Sequence, residues 1–169
     1  MTASGLVLLV EVIGAVGIVV SLVYLAIQVR QNTNQAIATN LKAALDRWMD
    51  VTSGMHRTEE DVSLIRRALN DFEALSKDQK GVVTGHLLQL IAAYHSIMEL
   101  HNRQLINPEV FATASESMAG YLKCPGGRQW WNTVRFNTPK DLVTQLDRVI
   151  EESEIQPFTE TLPHIRPQG

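Results

Sequence analysis

The chain has 169 residues, a formal net charge of -3 and a single cysteine, which leaves room for one membrane segment and one domain of about 130 residues with a single core. The small negative charge excludes the global basic field that dominates non-specific nucleic-acid binding, so no nucleic-acid partner is expected. With Cys124 alone, an intrachain disulfide is excluded, and no second Cys or nearby His marks it as a reactive thiol.

Residues 1-5 precede a run from Leu6 to Val29 that reads LVLLVEVIGAVGIVVSLVYLAIQV. As a helix it is about 36 Å long at 1.5 Å per residue, against a hydrocarbon core near 30 Å, so 6-29 is predicted to span a bilayer with some tilt. A cleaved signal peptide is the rival reading. The run is long for an apolar signal region, and no Lys or Arg comes before it, which favours retention. Arg30, Lys42 and Arg47 all follow the run, and that asymmetry places the N-terminus outside and the rest of the chain in the cytoplasm.

The span is not uniformly apolar. At 100° per residue Gly14, Gly17, Ser21, Tyr24 and Gln28 fall in a stripe about 80° wide, with Glu11 about 60° to one side. Small and polar residues on one face, with Val, Leu and Ile elsewhere, are the pattern of close helix packing in lipid, and Gly17 with Ser21 has small-xxx-small spacing. Glu11, Gly14, Gly17, Ser21, Tyr24 and Gln28 are therefore the candidate helix-helix interface. Near one end of the span Glu11 can also sit simply at the interface with water, close to the positive end of the helix.

No Gly or Pro interrupts residues 18 to 53, so the membrane helix is predicted to continue as one rod ending near Gly54. Its second half carries Ile37, Leu41, Ala44, Trp48, Val51 and Met55 at alternating spacings of four and three, a stripe that must pack on something. Thr58, followed by three acids, reads as the cap of a second helix running to about Phe72 and burying Val62, Ile65, Leu69 and Phe72. Ser76 and Gln79 have capping-box spacing and open a third, central helix through about Leu105, with Val83, Leu87, Leu90, Tyr94, Ile97 and Met98 inside. Asn107 and Pro108 start a fourth, burying Val110, Phe111, Ala114, Met118 and Tyr121.

Cys124 to Gly127 reads as a turn, followed by a short helix carrying Trp130, Trp131 and Val134. Thr138 and Pro139 then begin a helix with Leu142, Leu146, Val149 and Ile150 inside. The helical domain is thus 30-154. Prolines at 157, 163 and 167 make 155-169 an extended tail. With no strand-like alternation, the fold class is all-α: a transmembrane helix continuing into a cytoplasmic helical bundle.

Chemistry is harder to find. His86, His95 and His101 share the third helix with Glu99, and His95 with Glu99 is an i, i+4 pair. A di-iron bundle needs paired Glu-x-x-His motifs, helical-bundle ribonucleases of the HEPN type need an Arg with a His four to six residues on, and neither pattern occurs. There is no phosphate loop, zinc knuckle or nucleophile elbow. No catalytic residue, cofactor or metal is expected. Adjacent Trp130 and Trp131 point about 100° apart on a helix. Either both pack across two neighbours, or one of them, with Arg135, contacts a partner or the membrane surface.

Ser21 to Thr33 (SLVYLAIQVRQNT), the later QWW of Gln129 to Trp131, and Arg135 followed by Pro139 and Leu142 resemble a group of uncharacterised bacterial membrane proteins. These have one N-terminal membrane helix and a cytoplasmic helical region. The resemblance implies a single-pass protein of the bacterial inner membrane and supplies no activity. The leading expectation is a non-enzymatic assembly protein or accessory subunit, a homo-oligomer or part of a larger membrane complex. A homo-oligomeric pore lined by Glu11 and Gln28 is the alternative, and a tethered enzyme using His95 and Glu99 the third reading.

Overall fold

The computed structural model describes residues 3–166, with side chains from residue 11 onward. The expected segment 1-5, the boundary residue Leu6 and the tail residues 167–169 lie wholly or by their side chains outside the described residues. Among the described residues the chain is all-α, with helices α1 (Ala3–Gly54), α2 (Glu59–Asn70), α3 (Lys77–Asn102), α4 (Pro108–Leu122), α5 (Pro125–Val134), α6 (Lys140–Glu152) and α7 (Phe158–Thr161). It divides into two compact units, Met1–Asn40 and Leu41–Gly169.

The first unit is helix alone. Every residue from Glu11 to Ala36 is exposed, including Ile13, Ile18 and Val20, each more than half open. Among the described residues one helix is long and apolar enough to cross a membrane, its most apolar window reaching a mean hydropathy of 2.4. Its consecutive bulky aliphatics spread over most of the circumference rather than forming one narrow stripe, which makes this helix a candidate membrane span. Backbone amides bonded within the segment meet what such a span requires.

The second unit begins with the amphipathic end of α1. Ala44 and Val51 are buried there and Met55 just past its end, and Leu41 and Trp48 pack partly against the same core, as their spacing predicts. The expected capping box at Ser76 forms, and the expected cap at Thr58 proves to be a capping box as well. Thr58 Oγ1 accepts the Asp61 N–H at 3.1 Å while Asp61 Oδ2 accepts the Thr58 N–H at 3.1 Å. Ser76 and Gln79 make the same reciprocal pair at 3.3 and 3.2 Å. Each satisfies two amides that no helical carbonyl can reach, which fixes where α2 and α3 start. Asn107 caps α4 through the Glu109 N–H, with Pro108 in the first turn.

α3 is the central helix and buries Val83, Leu87, Leu90, Ile91, Tyr94, Ile97 and Met98, each placed by helical periodicity on the face toward α2 and α4. It stops at Asn102 rather than near Leu105, because Gln104 takes a left-handed conformation, φ 58°, that ends helical bonding. α6 turns Leu142, Leu146, Val149 and Ile150 inward and packs on α4.

Three expectations need correction. The CPGG segment is not a free turn: α5 starts at Pro125, and Gly126 and Gly127 form its buried first turn. A Cβ on Gly126 would lie 1.8 Å from the Ala68 carbonyl oxygen of α2, so glycine there permits backbone-to-backbone contact. The tail is not extended throughout: residues 158–161 form α7, Phe158 packs edge-on against Tyr121 at 4.8 Å, and Ile165 is 1% exposed. Asn70 Nδ2 donates to the Ile165 carbonyl at 2.9 Å, pinning this segment to α2. Finally, Trp130 and Trp131 are both buried, at 0% and 2%, so neither presents a partner or membrane-surface contact. α5 packs on α2 on one side and α4 on another, and an embedded helix buries side chains 100° apart without conflict.

Candidate functional site

Three groups of residues carry polar or small side chains in positions that packing alone does not demand. The first is the face of the apolar helix. Gly14 and Gly17 have open space where a Cβ would stand, so the backbone at both positions is free for close approach by another helix. Ser21 Oγ donates back to the Gly17 carbonyl at 2.8 Å, and Gln28 Nε2 donates to Tyr24 Oη at 2.8 Å. Helical i, i+4 geometry makes both contacts possible. Their effect is to satisfy polar groups that would be expensive to leave unpaired in hydrocarbon. Glu11 is exposed on the same helix. Gly17 and Ser21 thus stand one turn apart with small volume and no outward hydroxyl demand.

The second group lies where α5, α6 and the 3-10 turn Arg135–Asn137 meet. The Trp131 indole N–H donates to Asp147 Oδ1 at 2.9 Å, and Arg135 pairs with Asp147 Oδ2. The Trp130 indole N–H donates to Thr84 Oγ1 of α3 at 3.2 Å. Arg135 therefore neither stacks on Trp131 nor serves as a free anchor: its guanidinium is engaged by a half-buried carboxylate. The polar atoms of this cluster face one another and tie the three elements together.

The third group is on α3. His95 and Glu99, one turn apart and half-buried, converge with Asp141 from the first turn of α6, their candidate ligand atoms all within 4.8 Å of one another. Asp141 is 46 and 42 positions away in sequence, and no spacing rule connects it to the pair. Glu99 also meets Arg103 Nη2 at 3.5 Å, an exposed and loose contact. The other histidines of α3 are occupied differently. His101 stacks on Phe111 at 4.3 Å, and His86 lines a cleft of about 290 Å³ with Asp50, Arg57 and Gln89. The larger cleft of about 720 Å³, between α4, α6 and the segment after α6, is lined by Phe111, Glu116, Gln145, Arg148 and Glu152 among others and includes neither His95 nor Glu99.

Three buried groups have raised pKa values and serve packing. Burial pushes the Tyr121 hydroxyl up to about 12, with the neighbouring Cys124 adding to the shift. Burial also raises Tyr94, against the lowering effect of hydrogen bonds to Ser115 and Gln145. Cys124 is fully buried, its thiol raised by desolvation and donating to the Gly120 carbonyl at 3.1 Å. A buried thiol held in its protonated form is a small apolar packing element. No family model matches this chain, no curated protein matches it, and no solved structure matches it.

Proposed function

We propose that this protein is a membrane-anchored assembly protein, or an accessory subunit of a membrane complex, that associates through the Glu11, Gly14, Gly17, Ser21, Tyr24 and Gln28 face of its apolar helix. In this reading residues 6-29 span the inner membrane of a bacterium, with the N-terminus outside and the helical domain in the cytoplasm, as the distribution of Arg30, Lys42 and Arg47 favours. The role is mechanical and organisational rather than catalytic.

One observation carries the reading: on a helix exposed from Glu11 to Ala36, the open space above Gly14 and Gly17 lies on the same stripe as Ser21, Tyr24 and Gln28. In lipid, association draws on van der Waals contact between closely approaching backbones, and such a stripe provides it. The pore alternative gains no observation of its own, since the Gln28 amide is already engaged by Tyr24.

The test is Gly17→Ile, compared with Val19→Ile on another face, in a membrane association assay or by particle mass after gentle native extraction. The proposal expects Gly17→Ile to lower the associated fraction and Val19→Ile to leave it unchanged. Equal association in both variants overturns it.

A further inference from the structure

Among the described residues, His95, Glu99 and Asp141 are the one convergence of three metal-ligating side chains. We propose that these three side chains form a divalent transition-metal site of the zinc class, which ties α3 to the start of α6. This departs from the expectation that the chain binds no metal.

The donor set selects the cation. One imidazole nitrogen with two carboxylate oxygens suits zinc and its first-row neighbours, whereas magnesium and calcium prefer all-oxygen shells. The i, i+4 placement of His95 and Glu99 is the spacing at which two side chains of one helix reach a single metal, as in the two histidines of His-Glu-x-x-His sites. Asp141 supplies the third ligand from a different helix, which turns a local pair into a cross-link. Ligands at about 2.0–2.2 Å in tetrahedral array stand roughly 3.3–3.6 Å apart. Atoms already within 4.8 Å meet that spacing by side-chain rotation.

Charge and solvation favour occupancy. Glu99 and Asp141 together contribute two negative charges, and the local cation, Arg103, holds Glu99 only at 3.5 Å with its own side chain 72% exposed. An exposed contact of that length is worth little and yields to a metal. His95 and Glu99 are half-buried while Asp141 is exposed, so the site is reachable from water and keeps a coordination position for solvent.

The rival place for a metal is also visible. His56 and His164 face each other with ring centroids 5.6 Å apart, and two exposed histidines can capture zinc adventitiously. The experiment must separate the two places.

The full chain in detergent micelles is titrated with Zn²⁺ by calorimetry and with Co²⁺ by visible absorption, which reports coordination geometry. Melting of the same samples is followed by circular dichroism. The proposal expects one saturable site per chain and a higher melting temperature with Zn²⁺. His95→Ala and Asp141→Asn should each weaken binding by at least the roughly 10–100-fold that loss of an outer-shell partner costs. The His56→Ala/His164→Ala double variant should bind as the parent does. Absence of saturable binding overturns the proposal, as does binding that survives in His95→Ala or disappears in the double variant. Should His95→Ala fail to fold, Glu99→Gln and the exposed Asp141→Asn carry the decision.

Discussion

Trp131 and Asp147, sixteen residues apart, meet as a hydrogen bond of 2.9 Å from the indole N–H to a carboxylate oxygen, and Arg135 holds the second oxygen of the same carboxylate. One aspartate therefore satisfies a buried indole and a guanidinium together, linking α5, the 3-10 turn after it and α6. Asp147→Ala leaves the indole N–H buried without an acceptor and the guanidinium without its partner. The expected loss is about 2–3 kcal/mol, read as a fall of roughly 5–15 °C in the melting temperature of the second unit. Asp147→Asn retains one oxygen acceptor, and its loss should be the smaller of the two. Equal melting in parent and Asp147→Ala would show that the link contributes nothing.

Gly126 and Gly85 make opposite predictions from the same substitution. At Gly126 an added Cβ would lie 1.8 Å from the Ala68 carbonyl oxygen, backbone against backbone, whereas at Gly85 nothing lies within 4 Å. Gly126→Ala must force α5 away from α2 and should cost more than about 4 kcal/mol, enough to abolish cooperative folding. Gly85→Ala lies inside α3 and should stabilise by about 0.5–1 kcal/mol through helix propensity. Thermal melts of the two variants, followed by helical circular dichroism, check both signs at once.

Gln104 is the one non-glycine residue with positive φ among the described residues, at 58°. The left-handed conformation costs a side-chain-bearing residue on the order of 1 kcal/mol that glycine avoids. Gln104→Gly should therefore stabilise, less the entropy that glycine brings to the unfolded chain. Chemical denaturation should show a higher midpoint with an unchanged slope.

Tyr121 gives a pH window. Its hydroxyl ionises near 10 in an unfolded chain and at about 12 in the fold, chiefly because burial disfavours the phenolate. The fold therefore binds this proton more tightly than the unfolded chain does. The stability so gained is fully present below pH 10 and is lost as pH rises toward 12. Tyrosinate absorbance should lag behind the normal titration until the fold opens, and Tyr121→Phe should move alkaline unfolding upward. Identical alkaline unfolding of parent and Tyr121→Phe would contradict this account.

The elements were legible where the determining forces are local. The Thr58 cap, the Ser76 capping box, the Asn107–Pro108 start and the inward faces of α3 and α6 depend on residues within one or two turns, and sequence spacing displays them. What could not be read depends on neighbours distant in sequence. Glycines in CPGG serve a turn or a close approach equally well, and only the presence of α2 behind Gly126 decides between them. The burial of both tryptophans likewise follows from α5 having helices on two sides. At the candidate sites, the His95–Glu99 pair and the Gly17–Ser21 stripe lie within single helices and are visible in the sequence. Asp141 joins the pair through tertiary folding and carries no local signal.

The inward hydrogen bonds of Ser21 to Gly17 and of Gln28 to Tyr24 have a consequence for the proposed assembly. With its hydroxyl turned back to the Gly17 carbonyl, Ser21 makes no demand on a neighbour, so at the Gly17–Ser21 face a partner would contribute contact rather than rescue. Association of that kind behaves as an exchange governed by crowding in the plane of the membrane. Diluting the protein with lipid should disperse it, and concentrating it in a patch should gather it again.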